Sequence, residues 1–174
     1  MARTLLPADA DPSQAYLIVH SDEYTNSKFV PPLANVTGDI DSGDLSTTDD
    51  TYQGSTITGF SAGATIAQWE AVYMGSGGTW LLADCNGSGT YPARGIAVEA
   101  GSVALGELVV LREGKARNDA WNWTIGGNIY LSGTPGGLTQ TATAVSGERL
   151  QAVGFALSAD TAFFNFQSQF QTLA

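Results

Sequence analysis

The residue types that could carry covalent chemistry are few. The chain has one cysteine, Cys85, and one histidine, His20, so a cysteine–histidine nucleophilic pair could only be those two. Cys85 lies in Leu81-Leu82-Ala83-Asp84-Cys85-Asn86-Gly87, where an apolar run enters a turn. That context reads as a small, half-buried residue rather than an activated thiol. A lone cysteine also excludes an intrachain disulfide and a thiolate metal cluster. Carboxylates are more plentiful, at 17. Two of them flanking a groove could hydrolyse a glycoside, but most sit in the first third of the chain or in turns, so no acid–base pair is assigned. The string Asp39-x-Asp41-x-Gly43-Asp44 superficially matches a calcium loop. Such a loop needs glycine at its sixth position and a bidentate glutamate at its twelfth; here those positions hold Asp44 and Asp50, and the stretch reads as a solvated acidic loop. Neither Gly75-x-Gly77-Gly78 nor Gly87-x-Gly89 is followed by a lysine–serine pair or a helix, so both read as hairpin glycines rather than phosphate cradles. The expectation is a chain without catalytic residues, metal ligands or a cofactor.

Residues suited to contacts between proteins are better represented. Trp121-Asn122-Trp123 follows a basic cluster of Arg112, Lys115 and Arg117. Such rings could stack on bases or sugars; the plainer reading is a loop whose tryptophans cover the core or dock on a neighbouring subunit. Phe163 and Phe164 are consecutive in a strand-like run, so they point to opposite faces and each face meets something apolar. One face is the core, and the other is read as a subunit contact. Near the N-terminus, apolar residues come in bursts: Tyr16, Leu17, Ile18 and Val19, then Phe29 and Val30, then Leu33. These are candidate anchors on a partner.

Charge narrows the partners. Net charge is −10, and the first 60 residues hold nine carboxylates against Arg3 and Lys28 alone. An acidic surface repels phosphate backbones and anionic bilayers, so no nucleic acid and no membrane is expected as partner. No apolar run approaches the length of a membrane span. Residues 1–7 carry one charge and two leucines, too little for a secretory leader, so the chain is expected to be made in a host cytoplasm and not exported by that route. The asparagine triplets at Asn35, Asn86 and Asn122 are then chance matches to a glycosylation pattern.

The elements that must position these residues divide the chain in three. Residues 1–60 contain Pro31-Pro32, glycine–aspartate clusters and a polar run from Ser42 onward. They read as an extended acidic arm with one strand at residues 15–19, ordered chiefly by contact with something else. From residue 61 to residue 166, short apolar runs alternate with glycine turns. Strands are predicted at residues 70–74, 79–83, 93–99, 107–112, 128–132, 138–143, 151–157 and 161–166. Residues 64–71 are the best helix candidate, and they are short enough to be one turn or another strand. The fold class is all-β: a small antiparallel β-barrel or sandwich preceded by an extended N-terminal arm and followed by a tail at residues 167–174.

Three segments of that domain resemble the small β-barrel capsid decoration (cement) proteins and head-fibre or fibre-tip domains of tailed phages. The first is Ala93-Arg94-Gly95-Ile96-Ala97-Val98-Glu99-Ala100-Gly101 with Gly106-Glu107-Leu108-Val109-Val110-Leu111-Arg112. The second is Gly127-Asn128-Ile129-Tyr130-Leu131-Ser132-Gly133-Thr134-Pro135-Gly136-Gly137. The third is Leu150-Gln151-Ala152-Val153-Gly154-Phe155-Ala156-Leu157-Ser158-Ala159-Asp160 and the strand after it. The resemblance covers over half the chain. It implies a non-enzymatic virion protein on the outer capsid surface, bound to the major capsid protein and to itself as a homotrimer, with its arm tying capsomers together. The alternative within the resemblance is a fibre tip that recognises a host surface. A small glycan hydrolase is the third possibility and would need a carboxylate pair lining a groove.

Overall fold

The structure, a computed structural model, describes residues 48–101 and 106–174. The expectations placed on Tyr16, Leu17, Ile18, Val19, Phe29, Val30 and Leu33, on His20, and on Asp39, Asp41 and Asp44 lie outside the described residues. Among those described there is no helix, and an antiparallel sheet curls into a half-barrel. The predicted all-β class is therefore what the chain adopts. Of residues 64–71, those at 64–70 are irregular and Ala71 begins a strand: Ile66 makes an isolated bridge to Gly101, and Trp69 takes a left-handed backbone at φ 68°.

The strands are β1 (Thr51–Ile57), β2 (Ala71–Met74), β3 (Trp80–Leu82), β4 (Gly95–Ala97), β5 (Val110–Arg117), β6 (Asn128–Leu131), β7 (Leu138–Thr139), β8 (Arg149–Leu150), β9 (Ala152–Ala156), β10 (Thr161–Asn165) and β11 (Gln171–Thr172). Nine of them form one sheet in the order β3-β2-β4-β5-β10-β9-β6-β7, with β1 also on β5. β8 and β11 pair separately.

β5 organises the sheet because both of its edges are used. β1 pairs along its whole length, from Thr51↔Arg117 to Ile57↔Val110. The other edge is shared end to end: β4 takes Val110 and Leu111, and β10 takes Glu113 to Arg117. The changeover falls at Arg112, whose carbonyl accepts from the Phe166 amide at 3.0 Å. The register slips there too. Ser55 faces Glu113 while Thr56 faces Leu111, so Arg112 is the extra residue of a β-bulge.

Period-two alternation explains the core. In β2, β4 and the start of β5, Ala71, Ile96 and Leu111 enter one apolar cluster, while Val72, Ala97 and Val110 enter another on the opposite face. That end of the sheet is covered on both sides, which is why its strands read as unbroken apolar runs. Beyond the bulge the sheet is one-sided, and β5 places Gly114 and Ala116 inward but Glu113 and Lys115 outward.

Two boundaries of the predicted organisation are corrected. The stretch assigned to an arm ends earlier than residue 60, because Thr51–Ile57 is a strand of the sheet. Its side chains are mostly exposed, so it is held by main-chain hydrogen bonds to β5 and leaves no apolar stripe in the sequence. Asp49 and Asp50, counted above in a solvated loop, are docked. The Asp50 carboxylate accepts from the Trp69 indole at 2.8 Å, and Asp49 accepts from the Asp119 amide at 2.6 Å. The tail is ordered in the same way as β1. Gln171 and Thr172 pair with Leu150 and Arg149, and Phe170 packs edge-on against Tyr91 with centroids 5.0 Å apart.

Candidate functional site

One cross-strand row shows how Phe163 and Phe164 are sorted. Gly54, Gly114, Phe164, Gly154 and Ile129 are successive partners across β1, β5, β10, β9 and β6. The glycines at 54 and 114 have φ of 146° and 145°, and a Cβ on Gly114 would stand 2.7 Å from Gly54 Cα. Only glycine permits that approach. Phe164 sits between Gly114 and Gly154 and is fully buried, stacked on Phe166 at 5.7 Å and edge-on to Trp121 at 5.9 Å. Phe164 is therefore withdrawn from the candidate contact residues: its ring fills the core space over two glycines and has no surface left for a partner. Phe163 points the other way. It meets Phe155 on β9 with ring centroids 5.7 Å apart, and Phe155 is 42% exposed.

Trp121 and Trp123 are half-buried and cover the core. Trp121 is a hub, 5.5 Å from Trp69 and 5.7 Å from Trp123 as well as touching Phe164. Cys85 is buried, with its sulfur 3.7 Å from a Glu148 carboxylate oxygen. Burial first, and then the neighbouring Glu148 charge, push its thiol pKa above the ordinary range, the reverse of what a nucleophile needs.

The outward face holds two adjoining recesses. One, of about 410 Å³, lies over Phe155 and Phe163 and is flanked by amide side chains. The other, of about 570 Å³, opens at the bulge, where β4 ends beside β10. Its walls are Ile57 at the end of β1, Arg94 before β4, Arg112 and Glu113 at the bulge, Asn165 at the end of β10, and then Phe166, Gln167 and Ser168. Asn165 and Gln167 line both recesses.

Sequence reasoning singled out neither Arg94 nor this recess. The signal was present: Arg112-Glu113 places two charged residues together inside a strand whose neighbours alternate, and both are exposed. A broken alternation of that kind marks a bulge, and bulges re-aim side chains beside sites. The approach of Arg94 depends on pairing and could not be read locally. Gly95 allows it, since a Cβ there would collide with the Val110 side chain and lie 2.6 Å from the Leu111 carbonyl oxygen.

Both walls of the recess are tied behind by one buried polar side chain. Gln151 is 1% exposed; its Oε1 accepts from the Ala93 amide at 2.9 Å. Its Nε2 donates to the Ala93 carbonyl at 2.9 Å and to the Gln167 carbonyl at 2.8 Å. Ala93 adjoins Arg94, and Gln167 lines the recess, so Gln151 sets their separation. Among the described residues no cluster of His, Cys, Asp and Glu has metal-binding proximity, and no helix is long and apolar enough to cross a membrane. Comparison with protein-family models, with curated proteins and with solved structures finds no match.

Proposed function

We propose that the chain is a virion structural protein of a tailed phage that decorates the outer capsid surface and bridges capsomers. The observation that carries this reading is the outward aromatic pair Phe155–Phe163, with Phe155 42% exposed, placed on the sheet face opposite the core. Burying an aromatic side chain of this kind stabilises by roughly 1.5–3 kcal/mol. One pair does not offset the cost of association, so stable decoration calls for several contacts acting together. A homotrimer with an acidic arm reaching across to the major capsid protein supplies them. An extended arm covers at most about 3.3 Å per residue, enough for a few tens of residues to cross a subunit boundary. Its carboxylates would steer it to basic capsid patches in a salt-dependent way.

Deleting residues 1–35 removes none of the described strands. The expected result is a folded protein that no longer protects heads against heat or osmotic shock. Protection equal to that of the full chain refutes the clamp. The recess lined by arginines favours a second reading, a fibre tip that recognises a host surface. Copy number in purified virions separates the two: a value on the scale of the capsid lattice supports decoration, and a value on the scale of a few fibres supports the tip.

A further inference from the structure

We propose that the recess at the β5 bulge is a binding site for a carboxylate-bearing saccharide unit, separate from the aromatic contact used in the capsid reading. Five bases lie in the described residues, and two of them, Arg94 and Arg112, line this one recess. Elsewhere, Arg117 is committed to Asp119 and Asp160, and Arg149 donates to the Gly147 carbonyl and lies 4.5 Å over Tyr91. Neither Arg94 nor Arg112 forms an ion pair among the described residues. The Arg94 guanidinium is held by the Ser168 hydroxyl, and Arg112, the bulge residue, lines the same recess.

Two guanidinium groups over one recess provide planar, charge-assisted donors matched to a carboxylate. The remaining lining pairs the apolar Ile57 and Phe166 with polar side chains suited to hydroxyl groups. Asn165 and Gln167 each offer a donor and an acceptor, and the Glu113 carboxylate accepts. The volume of about 570 Å³ falls in the usual range for small-ligand sites. A polyanion is disfavoured, because the chain carries −10 overall and Glu113 stands on the same wall. A single carboxylate among neutral hydroxyls meets that repulsion once, with two arginines to offset it, whereas each further charge of a polyanion adds to it. Gln151 fixes both walls from behind, so the arrangement is preorganised.

The test uses the full chain and a disaccharide of one glucuronate and one N-acetylglucosamine. Its carboxyl methyl ester and a glutamate-rich peptide are the comparison probes, followed by calorimetry and by NMR of the Asn165 and Gln167 side-chain amides. The acid form should bind at least about tenfold more tightly than the ester, since hydrogen bonds to charged groups are worth more than neutral ones. Arg94→Gln and Arg112→Gln should each weaken it by about tenfold with unchanged Tm. Phe155→Ser with Phe163→Ser should leave sugar binding intact. Equal affinity for acid and ester, no amide shifts at saturating sugar, or tighter binding of the peptide with the same shifts would each overturn the proposal.

Discussion

Replacing Gln151 with leucine tests the bracket behind the recess. The two side chains are similar in size, so packing around the site changes little. What changes is hydrogen bonding. Three bonds of 2.8–2.9 Å disappear, and the Ala93 amide and carbonyl and the Gln167 carbonyl lose their partner. Ala93 is fully buried, so water cannot replace Gln151 there without opening the structure. Each buried group left unsatisfied costs about 1–3 kcal/mol. The two buried groups belong to Ala93, while the carbonyl of the exposed Gln167 can turn to water, so the expected loss is about 3 kcal/mol. For a chain of this length that lowers Tm by about 10 °C. Denaturant unfolding measures the loss directly. Hydrogen exchange at the Ala93 amide, whose proton is held by Gln151 Oε1, reports whether the opening is local. Gln151→Glu should be worse at neutral pH, because a carboxylate then faces two carbonyl oxygens. That carboxyl would have a folded pKa above its unfolded value. The native state then binds the extra proton, and stability should recover as pH falls. A Gln151→Leu protein within about 1 kcal/mol of the parent, with unchanged exchange at Ala93, would refute the reasoning.

Phe164→Ala should cost about 3–5 kcal/mol in denaturant unfolding, because the ring fills the space over Gly114 and Gly154. A Phe163→Ser change on the other face should stay within about 1 kcal/mol. Gly114→Ala should detach β1 selectively, since the new methyl would meet the Gln53 carbonyl oxygen and Gly54 Cα. Proteolysis within residues 51–57, with β6–β10 still protected, is the expected readout. Cys85 should react with iodoacetamide at least about tenfold more slowly in the native protein than in the unfolded one at pH 8, because its thiol is buried and its pKa raised. Above the ordinary thiol pKa the unfolded state loses that proton first, so stability should fall as pH rises there.

Most strands that bury side chains were legible in the sequence, although β5 was predicted at residues 107–112 and runs from Val110 to Arg117. Ala71–Met74, Gly95–Ala97, Asn128–Leu131 and Thr161–Asn165 each fall within a predicted run, because apolar residues at period two or in unbroken runs leave a local trace. The opposite orientations of Phe163 and Phe164 were also legible, since the pleat alone requires them. Strands held by their main chain were not. Thr51–Ile57 and Gln171–Thr172 are largely exposed, so nothing in their composition marks the pairing. Which phenylalanine faces inward was decided only by the tertiary structure, through glycines contributed by β5 and β9.

The recess divides in the same way. The adjacent charges of Arg112 and Glu113 break the alternation of their strand, and that much the sequence determined by itself. The rest needed the fold. Arg94 stands 18 positions before Arg112 in the chain, and Gln167 stands 16 after Gln151. They share one site because β4 and β10 meet end to end along a single edge of β5. Hydrogen bonds across a sheet join residues by register rather than by spacing, and register is settled only when every strand has its neighbour.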